Sequence, residues 1–539
     1  MARPRTQLPR PGKLRYDRAM KLTPFAKVFI ALVVLGVVGY VLRHKMREGL
    51  TAYDRHDPAV GTSGPSGPSD QVPSKPADRP GHIVIGVNDF GGAYPLLLAN
   101  DGVKAGPRSL FKKAGLDVEI KLIRGSKERL RAFDDGDLNV MLLTLDYFAN
   151  LVPVYKEKNV ELLSFLFVDW SRGNIGIAAK PQFGSIESLK KARVATTRNT
   201  PTHYLLLSLL DKSNLKPAEI DQAKSQIVFA AKTPQAGEMF QRGEVDAVAL
   251  WEPHLSQAIA GGKGQVLVTT ETATNLIADL LFARKEWVEA NRPQIGALAQ
   301  AYFEAVALLA SPEERARAVA LAAAAFEQKP EEVQATLGKL KPATFADNRA
   351  FFGLDTEACA YDSLFTEAGR FWQKEGLIKQ IAEPARTKYT KALEAISPLY
   401  KDQKVVENFH FGAAPARSAP SLLTKSVSIY FGSGKSELDP NARRILDTLA
   451  DTLTVFQNAY VQVEGNTDNV GNPAANHTLS KARAQAVIDY MVDRHRESRS
   501  RFIAIGNGPD VPVADNKTPE GRELNRRTDF KIIKNAAAP

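Results

Sequence analysis

Two stretches limit what this chain can fold into. "TSGPSGPSDQVPSKPADRPG" (Thr62 to Gly81) is Pro, Gly or Ser at more than half of its positions. A sequence of that kind buries too little to fold, so it acts as a semi-extended tether. "GAAPARSAPS" (Gly412 to Ser421) is a shorter break of the same composition. At 539 residues the chain is also too long for one ordinary core. The layout expected is a basic tail over 1–24, an apolar span over 25–42, a tether over 51–81, a large domain over 82–411, a linker over 412–424 and a small domain over 425–534.

The net charge of +11 is local. Residues 1–50 hold 11 Lys or Arg against Asp17 and Glu48, which leaves 11 − 9 = +2 for the rest. A basic excess confined to one end argues against a nucleic-acid partner. The run "VFIALVVLGVVGYVL" (Val28 to Leu42) carries no charge, and Phe25 and Ala26 extend it past the snorkelling Lys27. Its length reaches the lower limit for a spanning helix. "RHKMREGL" follows, without the small-residue cleavage site of a signal peptide, so an uncleaved anchor is expected. Eight Lys or Arg precede the span and three follow it, which places the amino terminus in the cytoplasm and the bulk outside. One cysteine, Cys359, allows no internal disulfide.

From His82 onward short apolar strands alternate with helical stretches: "HIVIGV", "DVEIKLI", "NVMLLT", "NIGIAAK", "ARVATT", "QIVFAA" and "VDAVALW". The alternation predicts α/β layers with a mostly parallel sheet. "FDDGDLNV" (Phe133 to Val140) and "FQRGEVDA" (Phe240 to Ala247) repeat one unit at an offset of 107. In each a helix closes on Phe, a glycine (Gly136, Gly243) supplies the left-handed turn, and a strand begins. The repeat points to two similar lobes with a cleft between them. "NTPTHY" (Asn199 to Tyr204) makes Thr200 a helix N-cap with Pro201 at N1, so that free backbone N–H groups face the cleft as an anion site. The plain alternative is a cap and nothing more.

With "NDFGGAYPLLLA", "FKKAGLDVEI", "DWSRGNIGIAAK", "SIESLKKARVATTRNTPTHYLL", "GEVDAVALWEPHL" and "TFADNRAFFG" in this order, the region from about His82 to about Tyr400 resembles the periplasmic solute-binding proteins of ABC transporters. The group is the one for nitrate, sulfonates, taurine and pyrimidine precursors. The resemblance implies a two-lobed, type 2 binding-protein fold that closes on a small, anionic solute, with an ABC-transporter permease as a further partner. Ligand-facing positions belong at the carboxyl ends of strands. Here these are Asn88, Asp89, Phe90, Tyr94, Thr144 and Asp146 in the first lobe, and Asn199, Thr200, Thr202, His203, Trp251 and Glu252 in the second. His203 and His254 lack metal-ligand spacing, so no metal and no cofactor are expected. The yeast pyrimidine synthases resemble the same group but carry a cysteine-rich motif, which a chain with one Cys cannot supply. No catalysis is expected.

In the small domain, "SVSIYF" (Ser426 to Phe431) alternates as a half-buried strand does. The loop that follows, "GSGKSEL", contains G-K-S, but Ile429 stands where a P-loop needs its first glycine. Asp439 is the expected N-cap, with Pro440 at N1 of the helix that continues through "NARRILDTLADTLTVF". T-D-x-x-G at Thr467 to Gly471, N-x-x-L-S-x-x-R-A at Asn476 to Ala484, G-x-G at Gly506 to Gly508 and G-R-x-x-N-R-R at Gly521 to Arg527 follow in order. Together they closely resemble the OmpA-like peptidoglycan-binding domain. That resemblance assigns Thr467, Asp468, Asn476, Leu479, Ser480, Arg483, Arg526 and Arg527 to the wall site. Asp468 would take the ammonium of diaminopimelate, and Arg483 its carboxylate, with Asn476, Ser480 and Arg483 on one helical face. Asn466 stands where the family often has His. The alternative for Asp468 and Arg483 is a surface ion pair.

The expectation is a receptor anchored in the inner membrane of a Gram-negative bacterium, with its bulk in the periplasm, tied to peptidoglycan and binding a small solute for transport or sensing. A tether whose receptor-like domain has lost its ligand is the alternative. A flagellar-type stator is disfavoured, because the span lacks the ion-carrying carboxylate.

Overall fold

The computed structural model describes residues 82–89, 91–354, 359–407, 409–429, 431 and 434–535. The expected tail, span and tether, along with Phe90, lie outside the described residues. Among the described residues no single helix is long and apolar enough to cross a membrane.

Two sheets form the large domain. The first lobe is built on β1 (His82–Val87), β2 (Asp117–Leu122), β3 (Val140–Thr144) and β4 (Leu162–Ser171). The chain then crosses to the second lobe, with β5 (Ile175–Ala179), β6 (Val194–Thr197), β7 (Ile227–Ala230), β8 (Ala247–Trp251) and β9 (Gln265–Thr269). It returns through β10 (Ala278–Arg284) and, after a run of helices, β11 (Leu340–Pro342). The first sheet has the order β11-β4-β10-β3-β1-β2 and the second β7-β6-β8-β5-β9.

The seven expected strands are present, but the sheets are mixed rather than mostly parallel. β1 pairs in parallel with β2 and β3, and β6 with β7 and β8. Strands β4, β5, β9, β10 and β11 pair antiparallel with their neighbours. The reason is the crossing itself. β4 runs into β5, and β9 into β10, without an intervening helix, so each returns in the opposite direction. β4 and β10 are apolar runs buried along almost their whole length, as strands covered on both faces are. The crossings lie side by side: the Ser171 amide donates to the Ile277 carbonyl at 3.0 Å and the Thr270 amide to the Ile175 carbonyl at 2.8 Å.

The repeated glycine units end their helices in the same way. Gly136 has φ 83° and Gly243 φ 77°. Their amides donate to Phe133 (3.3 Å) and Phe240 (3.0 Å), and the next amides, Asp137 and Glu244, reach Ala132 (2.8 Å) and Met239 (3.0 Å). This is the paired closure of a helix end through a left-handed residue.

The small domain folds on β12 (Leu423–Val427), β13 (Ala459–Asn466), β14 (Phe502–Gly508) and β15 (Thr528–Lys534), in the order β12-β15-β13-β14. Helices Pro440–Val455 and Pro473–His495 supply its apolar core, where Leu446, Leu453, Val487 and Met491 meet Val461 and Val463, all fully buried. Asp439 caps the first helix, accepting from the Ala442 amide at 2.7 Å. The opening strand sits earlier than the alternation of "SVSIYF" implies, because Leu423 pairs with Ile532 and is buried while Ile429 lies past the strand. The expected linker is not free. Tyr460 donates its hydroxyl to the Gly412 carbonyl at 3.0 Å, and Arg417 bonds Asn507 at 2.5 Å.

The small domain is bonded to the second lobe and to the returning crossing. Ile186 donates to the Leu422 carbonyl at 2.9 Å, and Glu187 accepts from the Thr424 amide at 2.7 Å. Asn275 donates its side-chain amide to the Thr454 carbonyl at 3.2 Å and to Gln457 at 3.1 Å.

Candidate functional site

A cleft of about 540 Å³, solvent at its mouth included, opens between the lobes. Its second-lobe wall is the loop from β6 into helix Pro201–Lys212. Asn199 has φ 55°, a left-handed conformation that Asn tolerates. It is 3% exposed, and neither its Nδ2 nor its Oδ1 has a hydrogen-bond partner. Thr200 occupies the N-cap and Pro201 the N1 position. Its hydroxyl turns away, donating to the Thr197 carbonyl at 2.6 Å and meeting Thr202 at 2.8 Å. The helix therefore starts without a side-chain cap, and its first amides remain for a ligand.

The first lobe contributes Asn88 after β1, Thr144 at the end of β3, and Ser126 and Arg129 from helix Ser126–Asp134. Arg129 is buried, donates to the Ile123 carbonyl at 2.6 Å and leaves its Nε unpartnered. Burial lowers its pKa, with Tyr147 and Asp89 acting in the other direction. Leu142, Leu143, Ile175, Tyr147 and Trp251 supply the apolar walls. Asp279, on β10, completes the lining.

Asn88, Thr144, Asn199, Thr200 and Trp251 are thus brought together as expected positions. The other expected positions among the described residues stand elsewhere. Asp89 bonds Arg124 at 3.1 Å instead of lining the cleft. Tyr94 is packed in the core against Phe326, its ring centroid 5.8 Å away. Asp146 lies behind the wall, 2% exposed, because it opens a helix whose whole first turn is covered. Burial pushes its carboxyl up to about 7, and the nearby Thr144 hydroxyl and the amides of Asp146 and Tyr147 offset this only in part. None of these is aligned closely enough to form a hydrogen bond with it. Thr202 turns inward to Thr196 at 2.9 Å. His203 is buried between Phe229 and Trp372, which drops its imidazole to about 3. Glu252 is held by Lys339 and by the Ser256 amide at 3.0 Å and hydroxyl at 2.9 Å.

Four polar lining side chains escape the sequence reading. Ser126 and Arg129 follow the end of β2, where the rule that crevices lie beyond strand carboxyl ends would have found them. Tyr147 is one position past Asp146, on the side of the helix that faces the cleft. Asp279 sits inside "LIADLLFA", an unrecognised strand, and its signal is a lone acid in an otherwise apolar run.

In the small domain, Asp468 sits on the loop after β13. Its Oδ1 accepts from the Val470 amide at 3.0 Å and its Oδ2 from Arg526 at 2.8 Å. Arg483 lies over the Phe431 ring at 4.8 Å and donates to the Lys435 carbonyl at 3.0 Å. Phe431, bridged to Leu438, and Lys435 therefore hold that arginine from the loop side. Burial and the neighbouring Arg526 lower the Arg483 pKa, and Asp468 acts against them. Asn476 donates to the Val470 carbonyl at 3.0 Å, fixing the loop, and Leu479 is half-buried on the same helix. Thr467 is tied to Gly508, its amide donating at 2.8 Å, and the Gly508 amide donates to Ser480 at 3.0 Å. Arg527 is the correction here: it is 8% exposed and committed to Asp529 at 2.8 Å, so it supports the sheet. Among the described residues no group of three or more His, Cys, Asp or Glu is placed to hold a metal.

Residues 80–324 match the NMT1-like family, and residues 430–526 match the OmpA family. The chain joins an NMT1-like domain to a carboxyl-terminal OmpA domain. It is 38% identical to outer membrane porin F of Pseudomonas aeruginosa over 106 residues, 20% of this chain and 30% of that protein. It is 34% identical to the peptidoglycan-binding protein ArfA of Mycobacterium tuberculosis over 149 residues, 26% of this chain and 45% of that one. The chain thus spans less than half the length of these two relatives. The alkanesulfonate-binding protein SsuA from Xanthomonas axonopodis pv. citri, solved bound to MOPS, aligns over 58% of this chain and 100% of its own at 18% identity, with a TM-score of 0.44.

Proposed function

We propose that this protein is a receptor anchored in the inner membrane, facing the periplasm, that binds a small solute in the cleft of its NMT1-like domain and grips peptidoglycan with its OmpA domain. The observation that carries the solute half is Asn199. An amide that is buried, unpartnered and part of the cleft wall costs about 1–3 kcal/mol unless a ligand or water completes it. The uncapped start of helix Pro201–Lys212 and Arg129 add donors for an acidic group of the sulfonate, nitrate or carboxylate kind. The wall half is supported by the likeness to a peptidoglycan-binding protein and by Asp468 and Arg483, an acid and a base held near Arg526. They match the ammonium and carboxylate of a diaminopimelate side chain.

A thermal-shift screen of the full chain tests the solute half. Taurine, alkylsulfonates, nitrate, phosphate esters and pyrimidine precursors form the panel. A ligand at a hundred times its dissociation constant adds about 2.7 kcal/mol, enough to move the midpoint by several degrees. A shift lost in Asn199→Ala or Trp251→Ala supports the receptor. A flat panel favours the alternative, a tether from membrane to wall whose cleft no longer binds a solute.

A further inference from the structure

The cleft has a feature that a simple anion site lacks. Asp279 lines it, and behind Asp279 stands a second carboxyl, Asp169. The two are direct cross-strand partners on β10 and β4, and both are buried, at 3% and 0% exposure. Among the described residues neither makes a salt bridge with Lys or Arg, and the Oδ2 of Asp279 and both oxygens of Asp169 have no hydrogen-bond donor. Two carboxylates side by side can bond each other only by sharing a proton. Burial raises both pKa values; the charge and contact of Asp169 raise that of Asp279 further, while the same contact holds that of Asp169 down. Asp146 adds a third buried acid whose charge acts on Asp279.

The backbone is built around this pair. The register between β10 and β4 shifts between Asp279 and Leu280, and a bulge of that kind re-aims a side chain next to a site. Position 92 is glycine, where a Cβ would lie 2.7 Å from Asp169 Oδ2 and 3.3 Å from Asp279 Oδ2, so any side chain there would crowd the carboxyls. Separately, the cleft wall carries Asn199, whose buried amide lacks both its donor and its acceptor contacts. The two charged residues of the lining have opposite sign: Arg129 enters beyond β2, and Asp279 stands on β10, with β3 and β1 between those strands. An oxyanion on its own would satisfy Arg129 and be set against an acid floor. A bare apolar molecule would leave both unmet.

We propose that the cleft reads a solute with an amino or ammonium group at one end, taken by Asp279 with Asp169 behind it, and an acidic or acceptor group at the other, taken by Arg129, Ser126 and the start of helix Pro201–Lys212. This deepens the solute-receptor reading and rests on it. It places small amino-sulfonates, amino-carboxylates and amino-substituted heterocycles ahead of nitrate and simple sulfonates, which have no donor for Asp279.

Calorimetric titration of the purified full chain with matched pairs is the test: taurine against ethanesulfonate, 3-aminopropanesulfonate against propanesulfonate, β-alanine against propionate, and an aminomethylpyrimidine against a methylpyrimidine. The expected result is at least one pair whose amine-bearing member binds tenfold tighter or better. Asp279→Asn, which keeps the shape and removes the charge, is expected to erase that preference, and Asp169→Asn to reduce it. Asn199→Ala should weaken both members of the pair by a similar factor. Equal or tighter binding by the amine-free members overturns this inference and leaves the receptor standing. So does a preference that survives in both folded Asn variants. If neither these compounds nor nitrate and phosphate esters bind, the receptor reading falls, and this inference falls with it.

Discussion

At the residue scale, the two candidate sites differ in how far their groups are already satisfied. In the wall site, Asp468 is paired with the exposed Arg526, and a surface pair of that kind contributes about 0–1 kcal/mol. A ligand ammonium can displace it at little cost. Asp468→Ala and Arg483→Ala are therefore expected to abolish co-sedimentation of the full chain with diaminopimelate-type peptidoglycan, while Arg526→Ala weakens it far less. Equal binding by all three variants would refute the assigned site. In the large domain the telling group is Asp146. Its carboxyl, pushed up to about 7 by burial, stays protonated in the fold where an unfolded chain would ionise, so this group makes the fold less stable as pH rises from about 4 to about 7. Above about 7 the loss is complete. His203, lowered to about 3, acts in the opposite sense between about 3 and 6.5, and the buried pair Asp169 and Asp279 in the same sense as Asp146, so the wild-type profile mixes them. Asp146→Asn isolates the first. Its unfolding midpoint, measured against wild type, is expected to gain between pH 5 and pH 8, by no more than about 3 kcal/mol in stability terms. A constant difference across that range would mean that Asp146 is not buried in this way.

At the element scale, the small domain depends on how closely helix Pro473–His495 lies on its sheet. A Cβ at Gly465 would come within 2.2 Å of the Ser480 carbonyl oxygen, and one at Gly506 within 2.6 Å of the His477 carbonyl oxygen. Both obstacles are backbone, so the helix itself would have to move. Gly465→Ala and Gly506→Ala should each destabilise the domain by about 1–3 kcal/mol or more, seen as a lower unfolding midpoint. They should also loosen wall binding, because Asn476, Ser480 and Arg483 ride on that helix. An unchanged midpoint would show that the helix sits further out. The same scale explains what was legible beforehand. β1 to β3 and β5 to β8 are short apolar runs bounded by turn residues, and each could be read from its own neighbourhood. β4, β9 and β10 could not, because they pass from strand to strand without a helix, and the pattern sought was alternation.

At the scale of the whole molecule, the chain folds so that its second lobe, its returning crossing and its small domain are hydrogen-bonded together through Ile186, Glu187 and Asn275. With the small domain held there, any closure of the cleft would move the first lobe relative to the small domain. Weakening the junction with Glu187→Ala and Asn275→Ala removes net bonds worth about 0.5–1.5 kcal/mol each. Hydrogen exchange at the Ile186 and Thr424 amides should accelerate, with wall binding unchanged. Exchange that is already fast in the wild type would show that the junction does not persist in solution.

The division between sequence and tertiary structure follows the range of the forces involved. The glycine-ended helices, the cap at Asp439 and the motifs around Asp468 and Arg483 were legible because each depends on residues within a few positions of one another. So was "FGSGKSEL", up to a point: the lack of a first glycine excluded a phosphate cradle, but only the fold shows Phe431 and Lys435 against Arg483. The cleft lining was half legible. Strand ends named Asn88, Thr144, Asn199, Thr200 and Trp251, whereas Asp146, Thr202, His203 and Glu252 stand beside them in sequence and turn away. Which side of a helix faces a cleft is set by what packs on its other side. Arg129 and Asp279 meet the same space from elements 150 residues apart. The pairing of Asp279 with Asp169 exists only because two crossing strands are registered against each other, and long-range register is something a local pattern cannot encode.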